Sequence, residues 1–241
     1  MRYLDMQSRI ELAVQEAIED IAEEIGVSVP KYPEVFWLGR KLKFENLFLA
    51  ESYREDFEDM PSAKGSYYLD FPKMIFIGEN NPEDITEESA HFLHYSHSNI
   101  RFTGKNVKDR LSLYILDEML AFFCSKLLIP ERKNPYKSEP DLFYMAEDNK
   151  EHFLDEIRRK NDLVIADEFF IYQQARGLGE RMYTSYILGE TPIEDVRDIF
   201  LSSFSKSGNA TYKVAHLKLK YWPPKDKRIK EMVQGLIGAR R

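Results

Sequence analysis

The sequence predicts an α+β protein with a small N-terminal β-sheet and a mostly helical C-terminal half. Three observations carry this. Apolar residues recur at helical spacing from Ile10 to Ile25 and again in most of the chain beyond Asn106. Between these stretches lie three short apolar or aromatic runs of strand length, at 35–38, 66–69 and 74–77. No internal repeat, low-complexity tract or linker divides the chain, so residues 1–241 read as a single domain, with a basic tail over 221–241.

In the first helix Ile10, Val14, Ala17, Ile18, Ile21 and Ile25 form one face, while Glu11, Glu16, Glu19, Asp20, Glu23 and Glu24 occupy the other. Gly26 is placed to end it, with Pro30 beyond. Val35-Phe36-Trp37-Leu38 reads as a strand closed by Gly39, and residues 46–57 read as helical again. Ser66-Tyr67-Tyr68-Leu69 and Met74-Ile75-Phe76-Ile77 are separated by a hairpin-sized connection containing Pro72. After Asn80-Asn81-Pro82, Asp84 and Glu87 have the spacing of a capping box, which predicts a helix from there to about His97.

Helices are then predicted over 111–128, ended by Pro130, over 141–159 and over 167–188. Thr191-Pro192-Ile193-Glu194 predicts a cap, a first-turn proline and a helix to about Phe200. Residues 202–210 read as a polar loop, and Pro223-Pro224 breaks the chain before the tail.

Composition narrows the function classes. The chain carries 34 basic and 41 acidic residues, a net charge of −7, with 43% hydrophobic and 31% charged residues. This is an ordinary globular mix, and it argues against a surface devoted to nucleic acid. The exception is Leu217–Arg241, where eight Lys/Arg oppose only Asp226 and Glu231. A tail of that charge leaves contact with RNA or an acidic lipid face open, although its bland reading is a solvated end packed on an acidic domain. A single cysteine, Cys124, excludes an internal disulfide framework and a cysteine zinc site, and its apolar surroundings predict a buried thiol. The first residues lack the apolar core of a signal peptide, and no run of about 18 apolar residues exists to cross a bilayer. A cytoplasmic protein with no membrane partner is the expectation.

Three of the five histidines fall within seven residues, in Glu87-Glu88-Ser89-Ala90-His91-Phe92-Leu93-His94-Tyr95-Ser96-His97. At about 100° per residue, Glu87, His91 and His94 share one stripe, Glu88 stands beside it, and His97 points away. A carboxylate and an imidazole four residues apart can share a divalent cation, and a neighbouring carboxylate can serve as general base. The plainer readings are that Glu87 and Glu88 answer the helix dipole, and that Glu118, in an apolar helix, has His91 as a partner without any ion. Glu88-x-x-His91 is also half of a di-iron signature, but Asn149 and Lys213 stand where the second half needs glutamate.

A strand, an acidic turn and a helix reading EExxHFLH resemble the zincin metallopeptidases, whose helix reads HExxH. Leu116-Asp117-Glu118-Met119-Leu120-Ala121-Phe122 resembles the second helix of the gluzincin type, which supplies a Glu as third metal ligand. The resemblance spans about 60 residues, Tyr67 to Leu128. It implies a zincin-like fold and a metal-dependent peptidase or amide hydrolase acting on a peptide or protein, with Glu88 catalytic and Glu87, His91 and Glu118 as metal ligands. Glu87 departs from the family's first histidine. That set is harder and more anionic, which favours Mn²⁺ or Fe²⁺ relative to Zn²⁺. His94, on the same stripe, is the alternative for the missing histidine. The competing expectation is a catalytically inactive relative, without a metal, whose cleft binds a peptide or partner protein.

One later feature points to the same place. Gly177 and Gly179 interrupt a helical pattern, each at about 1 kcal/mol against Ala, so a close approach to the histidine-bearing helix is expected there. The functional alternative is that Arg176 or Tyr183 reaches the site and stabilises a developing oxyanion.

Overall fold

A computed structural model describes residues 3–37, 67–69, 73–78, 80–98, 107–133, 168–204 and 209–221. Its elements are α1 (Tyr3–Ile25), β1 (Glu34–Trp37), β2 (Tyr67–Leu69), β3 (Met74–Ile77), α2 (Pro82–His97), α3 (Val107–Leu128), α4 (Glu168–Ile187), α5 (Ile193–Phe200) and α6 (Asn209–Tyr221). The α+β class expected from the sequence is the one observed, a small sheet followed by helices. The helices expected over 46–57 and 141–159, the hairpin connection 70–72 and the tail beyond Tyr221 lie outside the described residues.

The apolar face of α1 is buried along its length, with Ile10, Val14, Ile18, Ile21 and Ile25 all at 0% exposure. Gly26 ends the helix at φ 76°, and the bonds Gly26 N–H to Glu23 O and Val27 N–H to Ala22 O make a Schellman cap. The sheet is mixed, in the order β1-β3-β2. β1 runs parallel to β3 with Val35 opposite Ile75, and β2 runs antiparallel with Tyr68 opposite Ile75. β3 is central and buried at all four residues, as expected of an apolar run with neighbours on both edges. On the outer edge of β1 the side chain of Gln7 donates to Val35 O (2.7 Å) and accepts from Trp37 N–H (2.8 Å), tying α1 to the sheet.

α2 follows β3 almost at once. Its cap differs from the expected one: Asn81, not Asp84, caps the helix by accepting from Glu83 N–H at 3.1 Å, with Pro82 in the first turn. Asp84 and Glu87 therefore sit within the helix, where the Glu87 side chain is released for other partners. α3 is the hub. It is apolar nearly all round, from Leu111 to Cys124, because α2, α4 and α6 all pack on it.

The close approach expected of the glycines in α4 is seen at Gly179, but its partner is α3 and not the histidine-bearing helix. A methyl group on Gly179 would lie 2.7 Å from Met119 O, closer than any side-chain carbon tolerates. Beyond α4, the expected Thr191 cap also gives way: Pro192 precedes α5 without a side-chain cap, and Thr191 instead bonds Ser185 (2.9 Å) and the Tyr221 hydroxyl (3.2 Å). That exchange spends the hydroxyl on joining the α4–α5 turn to α6. No described helix is long and apolar enough to cross a membrane.

Candidate functional site

Asp117 on α3 is the centre of the histidine cluster. His91 Nδ1–H donates to its Oδ2 at 2.9 Å, and His94 Nδ1–H donates to its Oδ1 at 2.7 Å. The two imidazoles are one helical turn apart on α2, so a single carboxylate on the facing helix reaches both. The next residue, Glu118, turns to the far side of His91, with Oε1 3.7 Å from His91 Nε2. That distance is too long for a hydrogen bond. His94 is completely buried, while the side chains of His91 and Glu118 keep 11% and 16% of their surface.

Glu87 faces the other way. Its Oε1 lies 2.7 Å from Arg132 Nη2 and 3.2 Å from Arg176 Nη2, and its Oε2 accepts from Arg176 at 3.3 Å. Arg132, in the turn after α3, also reaches Glu83 at 3.3 Å and donates to the Ser125 hydroxyl. Both guanidinium groups lie over the Phe122 ring, at 5.1 Å and 5.7 Å from its centroid. One carboxylate thus joins α2, the end of α3 and α4. Glu88, 8% exposed, has no hydrogen bond or ion pair among the described residues.

The electrostatics follow from burial and from this crowd of charges. Burial favours the neutral Asp117 carboxyl, yet the charge and hydrogen bond of His91, with the hydrogen bond of His94, outweigh it and hold it at about 2. Burial likewise opposes the charged His91, but Asp117, Glu118 and Glu88 around it raise it well above 6.5. Glu88 is pushed up to about 8, chiefly by burial and further by Glu87 and Glu118, with His91 opposing. Glu118 rises to about 7 for the same leading reason, with His91 and Arg176 opposing. In the ion-free site these effects favour the charged form of His91 on an ionised Asp117 and the protonated form of Glu88.

The structure brings together His91, Glu118 and the neighbouring Glu88 from the expected residues. It turns Glu87 to the two arginines. Arg176 pairs with Glu87 at 3.2 Å. Tyr183 packs edge-on against Phe123 (6.2 Å) under Lys126, and His97 bonds Ser28 O at 2.7 Å. Two residues of the site were not singled out from the sequence: Asp117, whose only signal was its place beside Glu118, and Arg132, which carries none. Cys124 is buried, and burial pushes its thiol up, so it is inert.

As donors, His91 Nε2 and Glu118 Oε1 fit a divalent cation. Each faces the other without a hydrogen bond, and His91 is oriented from behind by a carboxylate, the support that metal-bound imidazoles keep. Glu87 is turned to the arginines instead: its Oε2 accepts a hydrogen bond from Arg176, and its Oε1 lies in ion-pair contact with Arg132 and Arg176 without a hydrogen bond. Among the described residues no three His, Cys, Asp or Glu side chains form a ready cage, so the pair offers two positions and leaves the others open. An open cleft of about 480 Å³ between α4 and α6, with Glu180, Thr184, Lys220 and Tyr221 in its lining, contains none of these residues. Comparison of the chain with known protein families, curated proteins and solved structures finds no match.

Proposed function

We propose that this chain is a metal-dependent hydrolase of peptide or amide bonds, zincin-like in architecture, with its centre at His91, Glu118 and Glu88. The observation that carries the reading is the facing pair His91 Nε2 and Glu118 Oε1 at 3.7 Å, with His91 Nδ1 fixed by Asp117. Two donors that bind one ion at about 2.0–2.2 Å stand roughly 3–4 Å apart. One imidazole with carboxylates is a hard set, which suits Mn²⁺ or Fe²⁺ as well as Zn²⁺.

A divalent cation bound there supplies polarisation of the scissile carbonyl and a more acidic attacking water. The chain's own residues do the rest. His91 and Glu118 hold the ion, and Asp117 keeps the His91 ring turned toward it. Glu88, one turn before His91, takes the proton of the attacking water and returns it to the leaving amine. The burial that raises Glu88 makes it a better base once its proton is lost.

A second reading has its own support. Glu87 stands where the resembled family keeps its first histidine, and it is sealed between Arg132 and Arg176. That suits a non-catalytic protein whose site region binds a peptide or partner. Titration of Zn²⁺, Mn²⁺ and Fe²⁺ into dialysed protein decides between them, together with mass-spectrometric cleavage of a peptide library. The hydrolase reading expects one ion per chain, lost in His91→Ala, and cleavage lost in Glu88→Gln. No uptake at micromolar metal favours the second reading over the first, and unchanged uptake in His91→Ala removes the ion from this site.

A further inference from the structure

We propose that His94 is a positioning residue: by holding one oxygen of Asp117 it fixes the other oxygen on His91, and so sets the direction of the His91 ring. The inference deepens the hydrolase reading and takes its catalytic meaning from it, while the geometry stands independently.

An aspartate carboxylate turns easily about its last torsion when only one oxygen is engaged. Here both are engaged, at 2.7 Å by His94 and at 2.9 Å by His91. The two rings come from one helix, so rotation of the carboxylate breaks at least one bond. His94 itself cannot give way. It is fully buried, with its ring edge-on to Phe200 at 5.5 Å and to Tyr95 at 6.1 Å.

The second ring nitrogen shows what His94 is for. His94 Nε2 is buried with no hydrogen-bond partner. A proton there would be an unsatisfied buried donor, and the bare Nδ1 lone pair would face an anionic oxygen. Placing the proton on Nδ1 answers both. His94 is therefore held as the Nδ1–H tautomer, and its polar work is the single bond to Asp117. Nothing else within the described residues uses its polarity. The chain His94, Asp117, His91 runs from the core at Phe200 to the His91 nitrogen that faces Glu118.

The test uses ¹⁵N NMR of the imidazole nitrogens in the full chain, with isothermal titration of Mn²⁺ and Zn²⁺ alongside. In the wild type, His94 is expected to carry its proton on Nδ1, whereas exposed neutral histidines prefer Nε2. His94→Phe keeps the ring and removes the donor; it should shift the His91 Nδ1 signal and weaken ion binding about tenfold, as loss of an outer-shell partner does. His94→Asn returns an N–H near the Nδ1 position and should restore both. A wild-type His94 protonated on Nε2 overturns the proposal. So does an unchanged His91 signal in His94→Phe, or a His94→Asn variant as perturbed as His94→Phe. If His94→Phe does not fold, the wild-type tautomer and His94→Asn decide. If the wild type takes up no ion, the hydrolase reading fails, and the NMR arm still tests the role of His94.

Discussion

Replacing Glu87 by His would restore the motif that the sequence resembles, and the structure says it should damage the protein. Glu87 is the shared counter-charge of Arg132 and Arg176, whose side chains are only 3% and 14% exposed. At an effective dielectric of about 20, each charge pair at about 4 Å is worth about 4 kcal/mol before desolvation is subtracted. Removing one partner from a buried ion pair costs about 3–5 kcal/mol, because the remaining charge stays buried. Arg132 keeps Glu83, whose side chain is 42% exposed, so the lower end applies, about 3 kcal/mol. Urea denaturation at pH 8, where an ordinary imidazole is neutral, measures this directly. Glu87→Gln is the near-isosteric control and should lose nearly as much. Adding Arg176→Met to Glu87→His should recover part of the loss, since it removes one of the stranded charges. A Glu87→His protein within about 0.5 kcal/mol of wild type, the scatter of ordinary surface changes, would refute the clasp.

Three further outcomes can be measured on the same material. Gly179→Ala forces a methyl against Met119 O; overpacking of about 1–3 kcal/mol, offset by about 1 kcal/mol of helix propensity, should lower the unfolding free energy read from urea denaturation by up to about 2 kcal/mol. Glu88 titrates at about 8 in the folded chain against 4.5 ordinarily, so its contribution is best below 4.5 and is lost as pH rises toward 8. Glu88→Gln should therefore be more stable than wild type at pH 7 by about 3 kcal/mol while losing activity, and equal stability of the two at pH 4 and pH 8 would contradict this. Asp117 is held at about 2 against 3.8, so its contribution is present above 3.8 and lost as pH falls through about 2. Asp117→Asn should be less stable than wild type by about 2 kcal/mol at pH 6, with the gap closing near pH 2 in acid denaturation followed by circular dichroism.

Much of this architecture was legible because its signals are local. Helical periodicity located α1, and the bounded apolar runs located the three strands to within about a residue. The failures share a cause. Asp84–Glu87 and Thr191 both have the chemistry of caps, but tertiary partners claimed two of those side chains, Glu87 for two arginines and Thr191 for Ser185 and Tyr221. The same limit shaped the site. His91 and Glu118 were visible as a facing pair because each sits at a motif position, 27 residues apart in sequence. Arg132 was not, because nothing about an arginine after a helix-ending proline says that it will fold back beneath Phe122. Periodicity says which face is buried, not which buried charges find each other.

The amide of Gln7 has a consequence for how this protein behaves in a crowd. Its two polar atoms take up Val35 O and Trp37 N–H, the pair of backbone groups that an arriving strand would use on that side of β1. The side chain thus imitates one residue of a neighbouring strand, and it does so from a helix that cannot propagate pairing further. A sheet of three short strands is a natural template for edge-to-edge growth, and here one glutamine closes that edge at its middle. Losing the amide would remove three hydrogen bonds from the fold, the third being its 2.6 Å bond to Glu11, and also unseal a site for association between copies of the chain.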